Sequence, residues 1–174
     1  MTVIVEDGTG VTSANSPVSV GETDEFFASR NNIDWDSAED KDASLIKATA
    51  YIDARFNALW KGRRTFGRAQ GIAFPRTSVL DADYYAVGDT EMPDEYKKAV
   101  MIAALADAQG NLDITQDRAV FVTSEQIGQI KMTYERDDPY ETGNPGVNFH
   151  DYLDQLLVGL LMRGKGSTIF LLRA

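Results

Sequence analysis

The sequence predicts a mainly α fold: a small helical bundle with a minor β element and extended N- and C-terminal arms. Three stretches repeat apolar side chains every three or four residues, which is typical of amphipathic helices. One later stretch alternates polar and apolar side chains, as a half-exposed strand does. With 174 residues, of which 43% are hydrophobic and 25% charged, the chain can bury the core of one domain. We therefore expect an N-terminal arm over 1–21, a helical domain over 22–162 and a C-terminal tail over 163–174.

The predicted arm opens with the β-prone run Thr2–Val5, which a turn signal over Asp7–Gly10 ends. The remainder of the arm is rich in Gly, Ser, Thr and Asn, a composition that indicates surface chain. Thr23 is a suitable N-cap, so we predict a short helix over 24–30 that turns two phenylalanines toward a core.

The first long helix is predicted over 37–60, because acids fill its first turns and an apolar stripe follows. The stripe comprises Leu45, Ile46, Thr49, Ile52, Phe56, Leu59 and Trp60. The second long helix opens at Met92–Pro93 and ends at Gly110–Asn111, and its many alanines allow close approach to another helix.

The intervening segment 61–93 contains too many glycines and prolines for a long helix or strand. It nevertheless carries many apolar side chains, so we predict a structured loop that packs them on the domain. These side chains are Phe66, Ile72, Phe74, Val79, Tyr84 and Tyr85.

The last third of the chain supplies the β element and a third helix. Strand patterns cover 119–123 and 126–134, and the proline- and glycine-rich stretch 137–148 indicates a loop. A leucine-rich helix is predicted over 149–162. The apolar stretch at the chain end, Thr168–Leu172, would either close a sheet in its own monomer or add to a neighbour's sheet edge.

Composition excludes several kinds of chemistry. The chain has no cysteine and one histidine, His150, so disulfides, thiolate metal sites and clustered-imidazole sites are excluded. No nucleophile–base pair or paired-carboxylate motif can be assembled, so we predict no enzymatic activity, no catalytic residue, no cofactor and no metal. Acids stand where a signal peptide needs bases, and no apolar run reaches membrane-spanning length, which predicts a protein made in the cytoplasm with no membrane partner.

Charge is unevenly distributed along the chain. The net charge is −10, which argues against a general surface for duplex DNA. Residues 46–80, however, carry seven bases and one acid, whereas residues 1–45 carry two bases and ten acids. The opposite blocks could pair one copy of the chain with another or pair within one monomer, and charge alone favours neither.

The basic block contains arginines interleaved with aromatic residues. Such a segment suits single-stranded nucleic acid, because bases stack on rings while guanidinium groups hold phosphates. A protein interface or pairing within the monomer is favoured over that interpretation, because aromatic residues and arginine dominate binding hot spots. On the first interpretation the contact residues are Trp60, Arg63, Arg64, Phe66 and Arg68, although the apolar pattern predicts a core position for Trp60 and Phe74.

The order of these motifs resembles a known family. A Leu-Ile-x-Ala-Thr-x-Tyr-Ile-Asp run at Leu45–Asp53 leads to Trp60–Arg64, then to Gln70 and Phe74–Arg76, and Met92–Pro93 opens an alanine-rich helix. The pattern, over about residues 20–162, is similar to tailed-phage head–tail connectors or adaptors, some of which carry the label DnaT-like single-stranded DNA-binding protein. Phe74 stands where members commonly have Trp.

The resemblance implies a structural virion protein at the neck of the particle. Such a protein forms a ring homo-oligomer, a dodecamer, that docks under the portal protein, extends the channel for passing double-stranded DNA and offers a platform to tail or tail-terminator proteins. The interface candidates are Arg63, Arg64, Arg68 and Arg76, together with Ile169, Phe170, Leu171 and Leu172 of the tail. The alternative is a DnaT-like replication protein that binds single-stranded DNA.

Overall fold

The structure is a computed structural model that describes residues 2–112, 124–127, 130–133 and 149–162. The described residues contain five α-helices and three two-stranded antiparallel sheets. This confirms the mainly α class with a minor β element. The helices are α1 (Val20–Ala28), α2 (Ile33–Asp36), α3 (Lys41–Phe56), α4 (Asp94–Ala108) and α5 (Phe149–Leu157). The strands are β1 (Arg63–Arg64), β2 (Arg76–Thr77), β3 (Val79–Leu80), β4 (Ala86–Val87), β5 (Ser124–Ile127) and β6 (Ile130–Thr133).

α1 starts four residues before the predicted start of its helix, so the prediction of Thr23 as the cap is wrong. Ser19 is the N-cap: its hydroxyl accepts the N–H of Glu22 at 3.1 Å, and the Glu22 carboxylate accepts the N–H of Ser19 at 2.8 Å. This reciprocal pair is a capping box, which satisfies two backbone donors at once. Thr23 lies inside the helix, buried, with its hydroxyl donating to the Ser19 carbonyl.

The helix predicted over 37–60 is shorter in the structure and is preceded by a separate turn of helix. Asp40 caps α3 by accepting the N–H of Ala43 at 3.0 Å, and the chain leaves the helix after Phe56. α2 buries Trp35 completely, and its indole N–H donates to Asp24 at 2.7 Å. Of the acids that predicted the helix start, Asp40 caps α3 and Asp42 lies in its first turn, whereas Glu39 precedes the helix.

The core lies between α3 and α4, with α1, α2 and α5 packed around that pair. Small residues on α4, including Ala99 and Ala103, are fully buried and let the two long helices approach closely. α5 closes the core with Leu153 and Leu157. Its helix ends at Leu157, five residues before the predicted end.

The described part of the N-terminal segment runs along the domain. The Glu6 N–H donates to the Ser16 carbonyl at 2.9 Å, and the Val3 N–H donates to Asp42 on α3 at 3.0 Å. Val18 is fully buried. The segment therefore contributes to the core. The predicted strand 119–123, the loop 137–148 and the tail 163–174 lie outside the described residues.

Residues 61–93 form two short ladders instead of one irregular loop. β1 pairs with β2, with Arg63 opposite Thr77, and β3 pairs with β4, with Val79 opposite Val87. The Lys61 ammonium donates to the Leu80 carbonyl at 2.9 Å, which ties the two ladders together. The single strand predicted over 126–134 is wrong in its extent, because the structure has two strands there, β5 and β6, which pair antiparallel with Ser124 opposite Thr133. Among the described helices, none is long and apolar enough to cross a membrane.

Candidate nucleic-acid interface

Most cations of the basic block are used inside the domain. Lys47 lies 3.3 Å from Asp107, and Arg55 lies 3.2 Å from Asp154. Lys61, Arg64 and Arg76 donate to backbone carbonyls. Of the seven cations, the side chains of Arg63 and Arg68 alone form no hydrogen bond or ion pair with another described residue, and both residues are exposed.

Arg76 and Arg64 hold the loop 60–76 together. The Arg76 guanidinium donates to the carbonyls of Lys61 at 2.7 Å, Gly62 at 2.9 Å and Ala73 at 3.3 Å. Arg64, which lies opposite Arg76 in the ladder, donates to the Gln70 carbonyl at 3.3 Å. Both arginines are half-buried. The N–H groups of both guanidinium groups therefore donate to carbonyls of the loop itself, which leaves these groups less available to a ligand at the surface.

These two arginines lie near a carboxylate on α3. Asp53 accepts the Tyr96 hydroxyl at 2.6 Å through one oxygen and the Ala73 N–H at 2.8 Å through the other. Burial raises the pKa of Asp53 to about 6, although both hydrogen bonds and both arginines oppose that rise. Burial also raises the pKa of Tyr96 well above its ordinary value. Because both carboxylate oxygens are occupied, the group anchors the loop to α3 and α4.

The two free arginines flank a half-exposed ring. Arg63 lies on β1, and Arg68 lies in a 3₁₀ turn, Gly67–Ala69. Between them, Phe66 keeps 40% of its surface exposed, and the ring rests against Gly10, where a Cβ atom would collide with it. The loop thus presents one aromatic ring and two cations whose side chains have no partner among the described residues.

Trp60 and Phe74 lie in the core, as the apolar pattern predicts. Their rings meet edge to face at a centroid distance of 5.2 Å, and Trp60 also contacts Phe56 and Tyr96. Trp60 is 3% exposed. It is therefore not available for stacking on a base, and the stacking role considered for it in the sequence is wrong.

The prediction that the 61–93 segment buries its apolar side chains holds for only part of it. Ile72, Phe74 and Val79 are buried, but Tyr84 is 81% exposed and Tyr85 is 73% exposed at the tip of the β3–β4 hairpin. A hairpin tip has few neighbours to cover a ring. The sequence signal for this exposed tip is the pair of adjacent tyrosines between two short strands. The expectation of a packed loop does not take that signal into account.

The described part of the domain also has a groove between its helices. α1, α4 and α5 line an open groove of about 330 Å³ with a mostly apolar floor. Arg30 and Lys98 lie at its edges, and the Arg30 guanidinium is 3.6 Å from the centre of the Phe26 ring. The groove is separate from the elements that carry Arg63 and Arg68. Among the described residues, no cluster of three or more acidic or imidazole groups could hold a metal ion.

The whole chain, residues 1–174, matches the family described as "Putative DnaT-like ssDNA binding protein". The chain belongs to this family. No curated protein and no protein of known structure matches it. The sequence resembles a family with two descriptions, head–tail connector and DnaT-like protein, and the match confirms the second of them.

The prediction of a virion head–tail connector is wrong, because the family that covers the chain is the DnaT-like one. There is also a physical reason for the error. The basic block suggested a patch for mating one copy with another, yet five of its seven cations are engaged within the monomer of this DnaT-like protein. The interface candidates Ile169, Phe170, Leu171 and Leu172 lie outside the described residues. Nothing in the described structure tests the other parts of that hypothesis. These are the portal and tail partners, the location in a virion and the contact roles of Arg63, Arg64, Arg68 and Arg76, and they stay predictions.

Proposed function

We propose that this protein binds single-stranded DNA through the exposed loop that carries Arg63, Phe66 and Arg68. The observation that carries the proposal is the match of the entire chain to the DnaT-like family. The loop is the place on the described surface where unpaired guanidinium groups accompany an exposed ring.

The chemistry of the loop suits an unpaired strand better than a duplex. Single strands bind where cations follow the backbone and rings accept bases, since every base has a face that can stack. Duplex binding rests on many phosphate contacts, and the net charge of −10 opposes a broad basic surface. Two cations and one ring can engage a short stretch of exposed bases. The proposed ligand is therefore single-stranded DNA, without base readout.

The test is fluorescence anisotropy of a labelled oligothymidylate titrated with the full chain at several salt concentrations. We expect binding at low salt that weakens as salt rises, because phosphate contacts release counterions. Arg63→Glu and Arg68→Glu should each weaken binding and lower the steepness of the salt dependence by about 0.7 for every phosphate that is no longer neutralised.

Lys98→Glu is the matched control, because it makes the same charge change on an exposed position of α4. It should weaken binding much less than Arg63→Glu does. Duplex DNA of the same length should compete poorly. The proposal is abandoned if the full chain shows no binding to oligothymidylate at low salt, or if Lys98→Glu and Arg63→Glu weaken it equally.

A further inference from the structure

The β3–β4 hairpin carries two adjacent tyrosines that the rest of the described structure leaves uncovered. Tyr84 and Tyr85 are 81% and 73% exposed, more than any other large apolar or aromatic side chain in the described residues. Exposed rings of this size gain nothing from the fold and commonly mark a binding surface. Their position therefore calls for a ligand rather than a packing partner.

The backbone of the hairpin tip is fixed by one carboxylate. Asp81 accepts the N–H of Asp83 at 2.8 Å and the N–H of Tyr85 at 2.9 Å. The Asp81 N–H in turn donates to the Tyr85 carbonyl at 2.9 Å. The Tyr84 N–H also donates to the Asp81 carbonyl at 3.4 Å. Four hydrogen bonds within five residues hold both tyrosines in a defined turn, so little backbone freedom is lost when they meet a ligand.

Tyr84 has a backbone conformation that its side chain disfavours. Its φ is +66°, in the left-handed region where glycine and asparagine are the usual residues. A bulky aromatic residue there is strained and, at 81% exposure, obtains no packing in return. Backbone strain at an exposed aromatic residue indicates that the ring has a functional role, such as contact with a ligand.

The hairpin follows β2, the strand that pairs with the Arg63-bearing strand β1. Arg63 lies opposite Thr77 in the β1–β2 ladder, and only Ser78 separates Thr77 from the start of β3. A Cβ atom on Gly62 would lie 2.9 Å from the Val79 side chain, so the base of the hairpin is level with β1. Thr77 and Tyr84 are seven residues apart in the chain, so their Cα atoms lie at most about 25 Å apart, within the span of a strand of several nucleotides.

We infer that Tyr84 and Tyr85 stack bases of the same DNA strand whose phosphates contact Arg63. The inference rests on the proposed function, which it deepens by assigning the stacking surface to the hairpin tip. Base stacking tolerates any sequence, so the hairpin adds affinity without adding sequence preference. Asp83 is exposed at the same tip, and its negative charge repels the DNA phosphates, which limits the affinity for the strand.

The experiment compares oligothymidylate binding by the full-length wild-type chain and by hairpin variants. Tyr84→Ala and Tyr85→Ala should each weaken binding about tenfold, while Tyr84→Phe and Tyr85→Phe should bind like wild type because the ring is kept. The salt dependence should stay unchanged in all four, since no charge is removed. Asp83→Asn should tighten binding about twofold. Tyr152→Ala on α5, another exposed tyrosine, is the control and should have no effect.

Tyr84→Gly separates a binding role from a structural one. Glycine accepts the positive φ, so this variant should unfold at the wild-type temperature or higher and still bind DNA about tenfold more weakly. A structural role would instead lower the unfolding temperature.

The two proposals fail in different ways. If wild type binds and both alanine variants bind within twofold of it, the hairpin assignment is overturned while the proposed function stands. Equal losses in the phenylalanine and alanine variants would also overturn it, since stacking does not need the hydroxyl. If wild type does not bind, the proposed function fails first.

Discussion

The Tyr96 hydroxyl of α4 donates a 2.6 Å hydrogen bond to the Asp53 carboxylate of α3, and this pair anchors the loop that carries the candidate interface. The other oxygen of Asp53 accepts the Ala73 N–H of that loop. The two long helices and the loop therefore meet at one buried carboxylate. Its environment sets the stability of the interface and gives that stability a pH dependence.

The first prediction concerns pH. Burial raises the pKa of Asp53 to about 6, whereas the ordinary value is 3.8, so between these values the folded chain holds a proton that the unfolded chain has released. The free energy of unfolding contributed by Asp53 therefore falls as pH rises through this window, by on the order of 3 kcal/mol in total. Asp53→Asn removes the effect.

Urea unfolding of wild type and Asp53→Asn, measured from pH 4 to pH 7.5, checks this sign. The difference between the two proteins isolates Asp53 from acids such as Asp7 and Glu22, whose pKa values the fold lowers through hydrogen bonds and whose contributions are lost at more acidic pH. Wild type should lose stability relative to the variant as pH increases. A difference that does not change with pH would contradict the prediction.

The second prediction removes the partner of Asp53. Tyr96→Phe leaves a buried carboxylate oxygen without its donor, so the variant should lose about 1–3 kcal/mol at pH 7. The loss should shrink toward pH 5, because the hydroxyl lowers the pKa of Asp53 and its removal lets the carboxyl protonate more readily. Tyr152→Phe, which alters an exposed hydroxyl, should change stability by less than about 0.5 kcal/mol.

The third prediction tests the start of α1. Ser19→Ala removes the hydroxyl that accepts the Glu22 N–H, and it should cost about 0.5–2 kcal/mol of stability. Ser13→Ala, at an exposed position outside the helix, is the matched control. Thermal unfolding of both variants gives the comparison. Equal midpoints would mean that the capping box contributes nothing measurable.

The helices follow from sequence where the local signals are strong. The apolar repeat and the proline at Met92–Pro93 predicted α4 within a few residues, since both signals act locally. The prediction missed α2, because a helix of four residues is too short to show an apolar repeat, and it started α3 four residues too early. Ser19 and Glu22 have the spacing of a capping box, a stronger local signal for the start of α1 than a lone threonine at Thr23.

The candidate site could be predicted only in part. Composition identified the arginine-rich block, but no local rule states which guanidinium groups turn inward. Arg64 and Arg76 turn inward because the fold places backbone carbonyls within their reach. These include the Gln70 carbonyl for Arg64 and the Ala73 carbonyl for Arg76. The exposure of Tyr84 depends likewise on the turn that Asp81 closes, an interaction set by geometry rather than by composition.

The fourth prediction separates a structural arginine from a surface one. Arg76→Ala removes a guanidinium that satisfies three backbone carbonyls, so it should cost about 1.5–3 kcal/mol, the usual range for hydrogen bonds to charged groups. Arg63→Ala should change stability by less than about 0.5 kcal/mol, because its side chain is exposed and unpaired among the described residues. Denaturant titration of both variants distinguishes them, and equal losses would contradict the assignment.

The fifth prediction concerns the buried tryptophan. Trp60→Ala should cost about 3–5 kcal/mol, because the ring fills the space between Phe56, Phe74 and Tyr96. Trp60→Phe should cost less, since the indole N–H has no hydrogen-bond partner among the described residues and its loss breaks no bond. Folded Trp60→Phe protein should bind oligothymidylate as wild type does, whereas folded Phe66→Ala protein should bind more weakly because the loop loses its exposed ring. Weak binding by Trp60→Phe would mean that the core ring, and not the exposed loop, governs the interface.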